Sequence, residues 1–152
     1  MITSDTALID ANVLVYAINE NVKQHAAALK LVELGLNEEI SLCFTPQVFS
    51  EFFATVTNPR QITNVLSREN AISEIEDYFL KGKCDIVFVH RGTLDKIIEL
   101  LKKYAVNAQD IFDLQLVATM LSNNISRIYT YNEKDFARYS EIEVLNPETV
   151  IR

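Results

Sequence analysis

Five short apolar runs, alternating over most of the length with longer stretches of helical spacing, constrain this chain more than any other feature of it. The runs are Thr6-Ala7-Leu8-Ile9, Ile40-Ser41-Leu42-Cys43-Phe44, Asp85-Ile86-Val87-Phe88-Val89, Ile128-Tyr129-Thr130-Tyr131 and Ile142 to Leu145. Each is short enough for a strand and too short for a helix that could stand alone. Strands that alternate with helices along a chain pair in parallel, because each helix supplies the crossover to the next strand. The pattern predicts an α/β domain with a mainly parallel central sheet. It leaves the order of the strands open.

The stretches between the runs carry helix signals. Asn12 to Ile18 reads as a helix with Asn12 near its start. His25 to Leu34 follows, with Ala28, Leu29, Leu31 and Val32 inward and Gly35 as its C-terminal stop. Thr45-Pro46 pairs a good N-cap with the residue preferred at the first helical position. That helix runs through Val48, Phe49, Phe52 and Phe53 and stops before Pro59. Ser67 caps a further helix bearing Ile72, Ile75 and Phe79, ending near Gly82. Thr93 to Tyr104 places Leu94, Ile97, Ile98 and Leu101 on one face. Gln109 to Asn123 is different, because its apolar residues (Ile111, Phe112, Leu114, Leu116, Val117, Ala118, Met120, Leu121) surround the axis. Such a helix is buried on most sides.

With 152 residues, 49% of them hydrophobic, the chain suits one domain, 1–152, that buries a core without staples. Only 3 Gly and 3 Pro occur, which argues against flexible linkers. No apolar run has the length of a membrane span, and Met1-Ile2-Thr3-Ser4-Asp5 lacks the basic start of a signal peptide, so the expected location is cytoplasmic. Cys43 and Cys84 each stand alone in apolar sequence and read as buried thiols rather than a disulfide or zinc site. His25 and His90 are isolated as well. The net charge of −7, from 14 basic and 21 acidic residues, excludes a general nucleic-acid coat. It leaves room for an enzyme that gathers part of its negative charge around a cation.

Ligands of open α/β sheets bind beyond the carboxyl ends of the strands. Four acids fall at such places: Asp10 after the first run, Glu51 in the helix after the second, Asp113 early in the buried helix, and Asp135 just after the fourth run. Carboxylates sharing one crevice repel one another unless a cation joins them, and an all-oxygen ligand set suits Mg²⁺ or Mn²⁺. Such an ion can orient a phosphate and activate a water, which points to phosphodiester hydrolysis. Each acid also has a plainer use. Asp10 can cap the helix after it, and Glu51 can face solvent. Asp110, on about the same face as Asp113, can be a further ligand or serve the helix dipole. Asp113 is the sharpest signal, since a carboxylate in an apolar helix is costly without a partner.

These residues lie in motifs that resemble those of the PIN-domain nucleases, particularly the VapC-type toxins of prokaryotic toxin–antitoxin pairs. Leu8-Ile9-Asp10-Ala11-Asn12-Val13-Leu14 is similar to the family's first motif, Thr45-Pro46-Gln47-Val48-Phe49-Ser50-Glu51 to its second, Ile111-Phe112-Asp113-Leu114-Gln115 to its third, and Thr130-Tyr131-Asn132-Glu133-Lys134-Asp135-Phe136 to its fourth. The four occur in the family's order over nearly the whole chain. The resemblance implies a three-layer PIN-like domain with endoribonuclease activity. It implies Asp10, Glu51, Asp113 and Asp135 as the catalytic, Mg²⁺- or Mn²⁺-binding set, with Asn12 and Thr130 in support. Asn132 stands where many relatives carry Asp, which makes the fourth acidic position the weakest. The implied partners are an RNA substrate, a cognate antitoxin and a second copy of the chain in a homodimer. Arg60, Arg68, Lys134 and Arg138 are candidates for phosphate contacts. Two other readings compete. One is a PIN fold retained as a binding or regulatory module. The other is an aspartyl-phosphate phosphatase, which needs a second Asp where this chain has Asn12.

Overall fold

In a computed structural model, residues 2–79 and 81–151 are described; Met1, Leu80, Arg152 and the side chain of Phe79, expected inward, lie outside the described residues. Strands β1 (Ala7–Ile9), β2 (Leu42–Phe44), β3 (Asp85–Ile86), β4 (Arg127–Tyr129) and β5 (Glu143–Leu145) form one sheet in the order β3-β2-β1-β4-β5. Every neighbouring pair is parallel. β1 and β2 are buried at every position. That is why they read as unbroken apolar runs rather than as alternating ones.

The third run pairs over a shorter length than expected. Val87 still donates its N–H to the Phe44 carbonyl (2.8 Å), but Phe88 and Val89 turn outward and are 57% and 58% exposed. At the fourth run the strand ends at Tyr129; Thr130 still donates its N–H to the Leu145 carbonyl (3.0 Å), and the chain bends at Tyr131.

Helices α1 (Ala11–Ile18), α2 (His25–Leu36), α3 (Pro46–Val56), α4 (Arg68–Phe79), α5 (Arg91–Lys103), α6 (Ile111–Ser122) and α7 (Glu133–Phe136) fill the connections. α1 starts before Asn12, because Asp10 caps it by accepting the Ala11 N–H. α3 starts as its sequence predicts: the Thr45 hydroxyl oxygen accepts the Val48 N–H (3.2 Å), with Pro46 at the first helical position. Ser67 accepts the Asn70 N–H (3.1 Å) at the head of α4. α5 begins at Arg91 rather than Thr93. His90 Nδ1 accepts the Gly92 N–H (3.0 Å), and Thr93 Oγ1 accepts the His90 N–H (3.1 Å), a reciprocal cap.

Two sequence expectations fail for packing reasons. Gly35 does not stop α2, which continues to Leu36. Gly35 is buried against Leu42, and a Cβ there would overlap Leu42 Cδ1 and lie 2.9 Å from Cγ. Helix and sheet therefore approach at the one residue without a side chain. The left-handed turn falls at Glu38 (φ 59°) instead. On α5 the core-facing stripe is Thr93, Ile97 and Leu100; the neighbouring stripe, Leu94, Ile98 and Leu101, is 58%, 44% and 43% exposed.

The strand order locates the site. From β1 the chain steps to β2 and β3, then returns past β1 to β4 and β5. Right-handed crossovers place the helices of the two directions on opposite faces of the sheet. The order reverses between β1 and β4, so a crevice opens there beyond their carboxyl ends. Asp10 follows β1 and Thr130 follows β4.

Candidate active site

Asp10 is only 6% exposed, and both its oxygens are held. Oδ1 accepts the Ala11 N–H (2.8 Å); Oδ2 accepts the Thr130 hydroxyl (2.7 Å) and Asn12 Nδ2 (3.1 Å). The Thr130 bond spans the reversal point and ties the end of β4 to the end of β1. Asn12 uses both ends of its amide. Nδ2 also reaches Thr130 Oγ1 (3.2 Å), and Oδ1 accepts the Tyr131 N–H (3.1 Å). An aspartate there would lose the donor and set a second charge against Asp10. Thr130 Oγ1 further accepts the Asn132 N–H (2.9 Å), which anchors the following turn.

Glu51 lies in the second turn of α3. One turn before it, Gln47 donates from Nε2 to Glu51 Oε1 (3.1 Å) and to the Phe112 carbonyl (3.0 Å), linking α3 to the start of α6. Gln47 Oε1 is buried without a hydrogen-bond partner. Turning the amide over would press that oxygen against the Glu51 carboxylate, so the carboxylate decides which way it points. Asp113 comes from the first turn of α6 and is half-buried. Asp10, Glu51 and Asp113 share the wall of one cleft of about 470 Å³ with Asn12 and Asn132. Asp135, exposed on α7, stands outside that wall, in an adjoining hollow with Asn132 and Lys134.

The acids sense one another. Burial pushes the Asp10 carboxyl above the ordinary range; hydrogen bonds from Thr130, Ala11 and Asn12 draw it back, and the Asp135 charge adds to the rise. Burial also raises Glu51, against the Gln47 hydrogen bond, with Asp10 contributing. Asp113 is pushed up to about 6, first by burial and then by the charges of Asp135, Asp10, Glu51 and Asp110. All four expected acids therefore act within one electrostatic neighbourhood. Among the described residues, no three carboxylate, imidazole or thiol groups are gathered closely enough to hold an ion unaided.

The remaining candidates fall elsewhere. Asp110 makes no side-chain cap; it pairs with Arg138 (3.3 Å), which also donates to the Ala105 carbonyl (3.2 Å). Arg68 pairs with Glu69 at the surface, and Arg60 and Lys134 are exposed. His90 is occupied as a cap, with Nε2 bonded to the Ser122 carbonyl (2.9 Å), and His25 Nδ1 is bonded to the Tyr16 carbonyl (2.9 Å). Cys43 is a buried and Cys84 a half-buried free thiol. Sequence reasoning did not single out Gln47, Tyr16 or Gln61, although the latter two line the cleft. Only Gln47 left a trace, four residues before Glu51 and so one turn away on the same helix face.

The architecture is thus an open parallel α/β sheet with an acidic cleft at the point where its strand order reverses. The chain belongs to the PIN domain family, whose model matches residues 7–142. It is 25% identical over 142 residues to the Ribonuclease VapC24 of Mycobacterium tuberculosis, covering 93% of this chain and 96% of the relative. It is 26% identical over 139 residues to Ribonuclease VapC43 of the same organism, covering 91% and 93%. Solved structures with the same fold include VapBC2 from Rickettsia felis bound to a promoter DNA fragment (TM-score 0.63, 20% identity, 93% and 98% covered). Another is VapC20 of M. tuberculosis, a sarcin-ricin loop cleaving toxin (TM-score 0.64, 14% identity, 90% and 98% covered). No helix among the described residues is long and apolar enough to cross a membrane.

Proposed function

We propose that this protein is a metal-dependent endoribonuclease, the toxin of a toxin–antitoxin pair, acting in the cytoplasm as one domain spanning the chain. The observation that carries the reading is the convergence of Asp10, Glu51 and Asp113 on one cleft at the sheet's reversal point, with Asp135 close enough to raise Asp113. Family membership and the ribonuclease relatives support the same chemistry. Mutually repelling, partly buried carboxylates gain most from a cation, and oxygen donors suit Mg²⁺ or Mn²⁺. Mg²⁺ keeps several waters and takes one or two protein carboxylates plus substrate phosphate. A site without three preassembled acids fits that habit.

When bound, the ion supplies charge stabilisation to the scissile phosphate and lowers the pKa of a water. In this reading Asp10 and Asp113 are the main ligands, and Glu51 and Asp135 complete the shell or position water. Thr130 and Asn12 hold the Asp10 carboxylate in one orientation, which is the work of outer-shell partners. Gln47 holds Glu51 against the head of α6. Asn12 opposes the phosphatase reading: its amide is committed at both ends and cannot relay a proton. Retention of all four acids, despite the repulsion they cause, counts against a purely structural module. The partners in this reading are RNA, a cognate antitoxin and, in a homodimer, a second copy. Several structures of the same fold are VapBC complexes.

The test is cleavage of a mixed RNA pool with Mg²⁺ or Mn²⁺, with and without chelator, by wild type and Asp10→Asn. Asparagine is as good an N-cap as aspartate, so α1 persists while the charge is lost. Cleavage should vanish in chelator and in the variant, with the variant still folding cooperatively as its thermal melt shows. Undiminished cleavage in excess chelator would overturn the metal assignment.

A further inference from the structure

The cleft extends beyond the acids. Asn12, Val15 and Tyr16 on α1 follow the i, i+3, i+4 rule, and so do Glu51, Ala54 and Thr55 on α3; the two stripes face each other across it. Val15 and Tyr16 therefore lie about one helical turn, roughly 5.4 Å, beyond Asn12, and Ala54 and Thr55 the same distance beyond Glu51. Gln61, from the segment that continues past the Thr55 end of α3, lines the cleft as well.

The chemistry of this end differs from that of the acidic end. Among the described residues, no Lys or Arg lines the cleft, so a phosphate has no cationic side chain to meet there. The Thr55 hydroxyl is turned inward to the Glu51 carbonyl (2.9 Å). Tyr16 is set edge-on to Tyr131, with ring centroids 5.0 Å apart and planes at 77°. Tyr131 is itself fixed by hydrogen bonds to Glu148 (3.2 Å) and the Gln24 carbonyl (3.3 Å). The Tyr16 ring is thus a preoriented aromatic surface that loses little freedom when something stacks on it. The exposed Gln61 amide, which lines the same cleft, carries one donor and one acceptor end.

We propose that the cleft end formed by Tyr16, Ala54, Thr55 and Gln61 is a nucleobase subsite. It takes an unstacked base of single-stranded RNA next to the phosphate at the carboxylates. The inference rests on the ribonuclease reading for its substrate, but its evidence is the shape and neutrality of this end. A flat, uncharged ligand with hydrogen-bonding edges suits an aromatic surface, two small apolar contacts and a side-chain amide. Single-stranded RNA is recognised in this way, by bases stacked on aromatic rings and read at their edges.

Free nucleosides test the subsite without metal, phosphate or cleavage. Adenosine, guanosine, cytidine and uridine are each titrated into the isotope-labelled full chain, and amide shifts are followed. At least one nucleoside should move Tyr16, Ala54, Thr55 and Gln61 together, and Gln61→Ala, an exposed substitution, should weaken that binding. In RNA cleavage, Tyr16→Leu should raise KM about tenfold, the scale of one lost base stack, with kcat little changed. Tyr16→Phe should stay near wild type. Shifts scattered elsewhere, or none, while RNA is still cleaved would overturn the subsite and leave the ribonuclease reading standing. Clustered shifts without RNA cleavage would do the reverse. A Tyr16→Leu protein that fails to fold leaves the nucleoside titration and Gln61→Ala to decide.

Discussion

Replacing Asp113 by Asn should make the metal-free protein more stable near neutral pH, although it removes a proposed ligand. Folding raises this carboxyl from 3.8 to about 6. Between those values the folded state binds more protons than the unfolded one. Stability therefore falls as pH rises through that window, and the full penalty is present above it. At about 1.4 kcal/mol per pH unit the shift corresponds to an upper bound of about 3 kcal/mol. Asp113 is half-buried, and solvent screening reduces this to about 1.5 kcal/mol. A charge in the first turn of α6 also gains about 0.5 kcal/mol from the helix dipole, which the variant forgoes. The net gain for Asp113→Asn is about 1 kcal/mol at pH 7.5 in chelator.

Urea unfolding reads this directly. With a slope of about 2 kcal/mol per molar, the midpoint should rise by about 0.5 M at pH 7.5. The gain should shrink as pH falls through 6 and disappear about one pH unit below 3.8, where both states are protonated. Adding Mn²⁺ should stabilise the wild type by mass action and the variant much less. A variant less stable than wild type at pH 7.5 in chelator would refute the reasoning, as would a gain unchanged at acid pH. Either result would mean that burial and the neighbouring acids together do not disfavour the Asp113 charge in the folded chain.

Three further outcomes rest on particular contacts. Gln47→Leu removes the donor shared by Glu51 and the Phe112 carbonyl; Mn²⁺ affinity by calorimetry should fall at least roughly tenfold, as for other outer-shell losses, and an unchanged affinity would remove Gln47 from the site. Gly35→Ala sets a helix-propensity gain of about 1 kcal/mol against overpacking on Leu42 of about 2 kcal/mol, so urea unfolding should show a net loss of about 1 kcal/mol rather than the gain usual inside a helix. His90→Ala should lower stability by about 1 kcal/mol through the lost cap and leave RNA cleavage intact; a loss of cleavage without a change in melting would give His90 a chemical role instead.

The parts of the fold that were legible in the sequence are those set by local chemistry. Thr45-Pro46 marked the start of α3, and the unbroken apolar runs marked β1 and β2 because both faces of those strands are covered. What misled was local chemistry overruled at a distance. Gly35 looks like a helix stop, yet Leu42, seven residues on and in the sheet, is what requires a residue without a Cβ. Thr93 looks like a first helical residue, yet it is the reciprocal half of a cap whose other half, His90, is an uncommon capping side chain. On α5 the more apolar of two adjacent stripes, Leu94, Ile98 and Leu101, is the one left exposed, and packing on α6 takes the stripe that contains Thr93 instead.

The same division explains the site. Asp113 stood out because its cost is local, a charge in an apolar helix. Asp10 could not be separated from a simple cap, and in the structure it is a cap as well: one oxygen serves the Ala11 N–H while the other faces Thr130, 120 residues away in sequence. One side chain starts α1 and closes the gap between β1 and β4, so its orientation is set before any ligand arrives. Tyr16 and Gln61 carried no signal, since an aromatic in an apolar helix reads as core and a glutamine in a turn reads as surface. They become informative only once α1 and α3 lie side by side, because both residues then share a wall with the acids. That stretch of wall is neutral and carries an aromatic ring, and a neighbour of that kind suits the base of the nucleotide whose phosphate the carboxylates would address.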